Sequence, residues 1–157
     1  MKSGFIYFLT ATTMLSFNTI GDHNNYEEIN SVEYLLNERV AVINEYLFDS
    51  DENGEKDIKT LTENLYKIES DDLLQNDLAI MKRIAENPSD YELVSNVQVN
   101  KIYSIEKEEN EIEINADLDW AMSGYDGEFN VIKNYDIKCA EKNGKIYLTD
   151  LDIIEYK

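Results

Sequence analysis

The sequence predicts an α+β domain in which N-terminal helices pack on a curved four-stranded antiparallel sheet. Two observations carry most of this. Apolar residues recur every three or four positions between Tyr26 and Ile84, then every second position from Tyr91 onward. The third is Asn143-Gly144 between two alternating runs, a strong hairpin signal because both residues tolerate positive φ.

The elements follow in order. Ile29, Val32, Leu36, Val40, Ile43 and Leu47 line one face of a helix over Tyr26–Phe48, with Asn30 or Ser31 as its cap. The run Asp49-Ser50-Asp51-Glu52-Asn53-Gly54 holds no apolar residue and breaks the pattern. Ile58, Leu61, Leu65 and Ile68 predict a short second helix. Ser70-Asp71-Asp72 caps a third, whose stripe is Leu74, Leu78, Met81 and Ile84. Pro88 ends it near Asn87, because proline disfavours helical geometry at the preceding residue.

Val97 and Val99 begin the first strand, which is expected to run to Ile105, and Glu108-Glu109-Asn110 turns the chain. Ile112, Ile114, Ala116, Leu118, Trp120 and Met122 then alternate with polar neighbours, so that strand has one buried and one wet face. After the reversal at Gly124-Tyr125-Asp126-Gly127, Phe129, Val131, Tyr135, Ile137 and Cys139 share one parity. The last strand starts with Ile146 and Leu148, and Leu151 and Ile153 then change parity, which predicts a bulge near Thr149-Asp150.

Charge limits the partners. There are 33 acidic and 14 basic side chains in 157 residues, a formal net charge of −19. Such a field repels phosphate backbones and anionic lipid, which argues against nucleic-acid binding and against membrane binding through a basic patch. A protein or peptide of opposite charge, or a divalent cation, fits better. The lone Cys139 excludes an intramolecular disulfide. At the N-terminus, Lys2 precedes an apolar run from Phe5 to Phe17, with no acidic residue before Asp22. Residues 1–21 therefore read as a secretory signal or N-terminal anchor, with 22–157 as the single domain and a secreted or cell-envelope location. The plainer reading is that this run is an element of the domain itself.

The helical segment 26–48, the paired short helices of 57–86 and the strands of 94–155 together resemble the NTF2-like, cystatin-like cone superfamily. Ala116-Asp117-Leu118-Asp119-Trp120-Ala121-Met122 resembles the long central strand of small secreted Gram-positive members. Asn143-Gly144-Lys145-Ile146-Tyr147-Leu148-Thr149-Asp150-Leu151 resembles their last hairpin, with Ile146 and Tyr147 where tryptophan is common. The resemblance implies helices folded into the concave side of a curved sheet. Its enzymes place acidic and tyrosine residues on that concave side.

If Trp120 points into such a cone, the inward set Ile112, Ile114, Ala116 and Leu118 is apolar and supplies no general base. Ligand-binding candidates are then Trp120 and Tyr135 from the strands, with Tyr34 or Glu38 from the first helix. No titratable pair converges, so catalysis is not expected. The only histidine, His23, lies at the leader junction, and Cys139 has the parity of a buried strand residue, where a thiol behaves as a small hydrophobe.

Asp49-x-Asp51-x-Asn53-Gly54 matches the first half of an EF-hand calcium loop, with Asp57 at its ninth position. Lys56 and Thr60 stand where an apolar residue and a bidentate Glu belong, so the loop is either a weak extracellular calcium site or solvated acidic chain. No other cofactor is implied. Tyr125, Tyr147 and Tyr156 fall near turns and strand ends, and Tyr147 shares the outer sheet face with Asp117 and Asp119. That face suits a cationic protein partner or a second copy of the chain. The expected function is an exported, non-catalytic binding domain. The alternatives are a small-molecule-binding or enzymatic cone and a calcium-dependent module.

Overall fold

A computed structural model describes residues 25–48, 57–86 and 92–154. Its elements are α1 (Tyr26–Phe48), α2 (Ile58–Leu65), α3 (Asp71–Glu86), β1 (Leu93–Glu108), β2 (Glu111–Gly124), β3 (Gly127–Lys142) and β4 (Lys145–Ile153). The strands form one antiparallel meander in the order β1-β2-β3-β4. No helix among the described residues is long and apolar enough to cross a membrane.

Each helix forms where its apolar stripe permits burial. α1 buries Val32, Leu35, Leu36, Val40 and Tyr46. α2 starts at Asp57, whose carboxylate accepts from the Lys59 and Thr60 amides, two of the donors that a helix N-terminus leaves orphaned. It ends at Leu65, so Ile68 falls in the following turn but stays buried. The main core joins α1 to the even-numbered face of β2, with Ile112, Ile114, Ala116, Leu118 and Trp120 all buried. A smaller cluster of Tyr46, Leu61, Leu65, Leu74 and Met81 holds the three helices together.

β1 departs most from simple alternation. Its core-facing residues pair with Met122, Trp120, Leu118, Ala116 and Ile114, and they are Val94, Val97, Val99, Ile102 and Ile105. The spacing runs three, two, three, three because the register shifts between Val94 and Asn96, Val99 and Lys101, and Ile102 and Ser104. Each shift is an extra residue that bends the strand and increases its twist, so β1 curves around α1. The strand also runs past Ile105 to Glu108. β2 and β3 pair without a shift. On β4, Lys138 faces Asp150 and Cys139 faces Leu148, leaving Thr149 as the bulged residue at the predicted parity slip. Asn143 and Gly144 have φ of 56° and 74°, the signs a two-residue type I′ hairpin requires.

Both sheet edges are covered in part. On β1, Asn37 accepts from Val97 N–H and donates to its carbonyl, Glu33 accepts from Val99 N–H, and Asn44 donates to the Val94 carbonyl. On β4, Leu148 donates to the Ile68 carbonyl and accepts from Ser70 N–H, which seats the α2–α3 linker against the strand. Covered edges cannot template pairing with another chain. A salt bridge of 2.7 Å from Lys107 to Glu28 ties the start of α1 to the far end of β1, and this bond holds the Glu28 carboxyl below its ordinary range.

Candidate functional site

The helix-covered side of the sheet holds a group of polar residues that the apolar lining of β2 does not suggest. Arg39 projects from α1, Glu69 from the α2–α3 linker and Asp77 from α3. Glu69 is fully buried, and Asp77 is 3% exposed. Arg39 donates through Nε to Asp77 Oδ2 at 2.7 Å and through a terminal nitrogen to Asp77 Oδ1 at 2.8 Å, a two-pronged pair. Glu69 Oε1 is also 2.7 Å from Arg39 Nε, so the two carboxyl groups share one guanidinium. Arg39 Nε lies at the same distance from both carboxyl groups, while its terminal nitrogen serves Asp77.

Two carboxylates thus face one guanidinium away from water. Burial, followed by the Asp77 charge, raises the Glu69 pKa to about 8 despite Arg39. Like charges in a low dielectric cannot both ionise at little cost, so Glu69 is the proton-carrying member at neutral pH. As a neutral acid its O–H can donate to Asp77, leaving a cluster of zero net charge.

Next to this cluster lie Trp120 and Tyr135, with ring centroids 5.6 Å apart at 48°. Both are buried, and burial raises the Tyr135 pKa while the nearby Arg39 charge opposes it. Trp120 Nε1 is buried, and the interaction of Trp120 with the Tyr135 side chain also opposes the rise in the Tyr135 pKa. The structure therefore brings together two of the three expected ligand-binding residues. Tyr34 is not with them, being 62% exposed. Its position two residues before Leu36 puts it about 200° around α1 from that buried residue, on the solvent side. Glu38 is exposed as well. Cys139 is buried, and desolvation pushes its thiol up to about 12, so it is a core residue and not a nucleophile.

The expectation that no titratable pair converges is corrected by Glu69 and Asp77. A sequence signal for the pair existed. Asp77 is three residues after Leu74 and four before Met81, and Arg39 is three after Leu36, so opposite charges sit inside two apolar stripes. Glu69 had no such signal, because its burial depends on the linker reaching β4.

Of the residues of the calcium-loop pattern, Asp49, Asp51 and Asn53 lie outside the described residues. Asp57 is described, and both its oxygens serve α2: Oδ1 accepts the Lys59 and Thr60 amides, and Oδ2 accepts the Thr60 hydroxyl. These bonds, led by that of the Thr60 hydroxyl, hold its pKa below the ordinary value. No group of three or more metal-ligating side chains occurs among the described residues.

The opposite sheet face is polar. Tyr103 donates to Asp117, which also accepts from Asn134, while Asn115 donates to Asp136 and Asn130 to Asp119. Toward the β1–β2 turn, a groove of about 370 Å³ is lined by Glu106, Glu108, Glu111, Glu113, Lys138 and Thr149, among others. Tyr147 on β4 is half-buried, with Lys145 Nζ 5.0 Å from its ring centre. Tyr125 is fully exposed at the β2–β3 turn.

No family model matches the chain, and no curated protein matches it. Among solved structures, the chain is similar to the intermembrane space region of the chloroplast protein ARC6. That likeness has a TM-score of 0.50 at 9% identity and covers 82% of this chain and 97% of that one. It is also similar to a de novo designed beta-sheet protein, at a TM-score of 0.33 and 10% identity over 80% of this chain and 88% of that one, which is too low to carry an argument. The first likeness supports the fold alone, and that fold is α+β, with three helices against a four-stranded antiparallel sheet among the described residues.

Proposed function

We propose that this chain is an exported, non-catalytic binding domain of the NTF2-like type, which captures a cationic protein segment on the outer face of its sheet. The bent β1 and the helices laid on the concave side support the NTF2-like reading. The observation that carries the function is the contrast between the two faces. Leu118, Ile114, Ala116 and Ile137 are each no more than 1% exposed under the helices. The outer face is open and holds Glu106, Glu108, Glu111 and Glu113 around a groove, four acids against the two bases Lys138 and Lys142. An acidic surface of this kind accelerates encounter with a cationic partner and disfavours anionic ones.

The test is titration with a Lys/Arg-rich decapeptide, followed by backbone amide shifts at two ionic strengths. Shifts should concentrate on β1–β3 residues of the outer face. Glu106→Lys with Glu113→Lys should abolish them, while charge reversal at Glu38 and Glu45 on α1 should not. Equal loss in both pairs of variants would reduce the effect to overall charge and sink the proposal.

A second reading, a small molecule held inside the cone, is favoured by one feature, the buried Trp120–Tyr135 pair beside Arg39. A bound polar molecule there would shift the Trp120 indole N–H resonance selectively.

A further inference from the structure

The α2–α3 linker makes two kinds of contact at one point. Its backbone pairs with the outer edge of β4 through Leu148 N–H to the Ile68 carbonyl and Ser70 N–H to the Leu148 carbonyl, each at 2.9 Å. Between those bonds, the Glu69 side chain points inward and is fully buried beside Arg39 and Asp77. The seat of the linker is therefore tied to the condition of one carboxyl group.

We infer that Ile68–Ser70 is a proton-gated plug on the edge of β4, seated while Glu69 is a neutral acid and released, with exposure of the Leu148 edge, when Glu69 ionises. The charges around Glu69 support this. From α1 it faces Arg39, whose directed N–H bonds already go to Asp77. From α3 it faces the Asp77 carboxylate. β3 contributes Tyr135, close enough to feel Arg39, and the buried Cys139 thiol, which pairs with Leu148. From the β3–β4 hairpin, Lys145 and Lys142 reach the linker at the Lys67 carbonyl and the Ser70 hydroxyl. An ionised Glu69 would leave two negative charges sharing one positive charge in a buried site. Swinging the linker outward hydrates the carboxylate and breaks the two bonds to Leu148. The proton passes to solvent.

A partner strand could then pair with the vacated edge, since an uncovered sheet edge is a template for strand addition. This inference does not depend on the outer-face proposal, because it concerns a different surface and a different signal.

The linkage sign follows from the raised pKa. The linker-open form titrates near the ordinary glutamate value of about 4.3, and the closed form near 8. Opening should thus grow about tenfold per pH unit between pH 5 and 8 and level off above, because closing retains a proton that opening releases. The measurement is amide hydrogen exchange of Ser70 and Leu148, corrected for intrinsic rates, from pH 5.5 to 9. Wild type should lose protection with this slope, and Glu69→Gln, which keeps a neutral polar group, should show none. Asp77→Asn should move the levelling point to lower pH, because it removes the neighbouring negative charge, and it serves if Glu69→Gln does not fold. A flat wild-type profile, or the same slope in Glu69→Gln, overturns the inference. So does a ¹³C carboxyl titration placing Glu69 in the ordinary carboxylate range.

Discussion

Asn37 grips the backbone of Val97 with both ends of its amide, accepting from the Val97 N–H at 2.9 Å and donating to the Val97 carbonyl at 2.7 Å. A side-chain amide thus occupies the place of a neighbouring strand. The second Asn37 amide hydrogen meets the Glu33 carbonyl one turn back, at 2.9 Å, which locks the side chain in position. Glu33 and Asn44 continue the same service along β1.

Asn37→Ala removes partners from two backbone groups at once. An unsatisfied buried donor or acceptor costs about 1–3 kcal/mol, and water entering at this edge offsets part of it. The expected loss is about 2 kcal/mol in urea unfolding with an unchanged m-value. Asn37→Leu should be no better, because added apolar volume does not replace the two bonds.

Arg39→Met leaves Glu69 and Asp77 buried with no compensating charge. Breaking a buried ion pair from one side costs about 3–5 kcal/mol, whereas replacing all members with apolar residues is often close to neutral. The triple variant Arg39→Met/Glu69→Leu/Asp77→Leu should therefore be more stable than Arg39→Met alone. The single variant's deficit should shrink from pH 8 to pH 5, because acid neutralises the stranded carboxyl groups. A deficit that does not change with pH would mean that the cluster is not charge-coupled.

Trp120 and Cys139 report on how tightly the concave face is filled. Trp120 is the only tryptophan, so its fluorescence is unambiguous. Acrylamide should quench it weakly in the native state and strongly in urea. Cys139 should react with a disulfide reagent only at the global unfolding rate, since burial pushes its thiol up to about 12. Strong quenching or prompt labelling of the native protein would reveal an open chamber and favour the small-molecule reading.

Asp57→Ala should destabilise α2, most clearly above the ordinary aspartate pKa. The folded group titrates below that value, so its contribution is present at neutral pH and lost as pH falls through the lowered pKa. Because both oxygens of Asp57 serve the helix cap, calcium should raise the unfolding midpoint no more than magnesium does at equal ionic strength. A calcium-specific rise abolished by Asp51→Ala would restore the calcium-loop reading.

Much of this fold can be read from local pattern. The stripes of α1 and α3, the alternation of β2, the Asn143-Gly144 hairpin and the bulge at Thr149 all follow from which apolar residues can share a face, and sequence spacing alone settles that. β1 is less legible, because three bulges spread its core residues at nearly helical intervals. What only the tertiary structure decided is which polar groups became buried. Tyr34 remained in solvent, while Glu69, with no local signal, lost all contact with water. Burial of a loop carboxyl depends on the linker docking against a strand about eighty positions later in the chain, and no local period in the sequence encodes that contact.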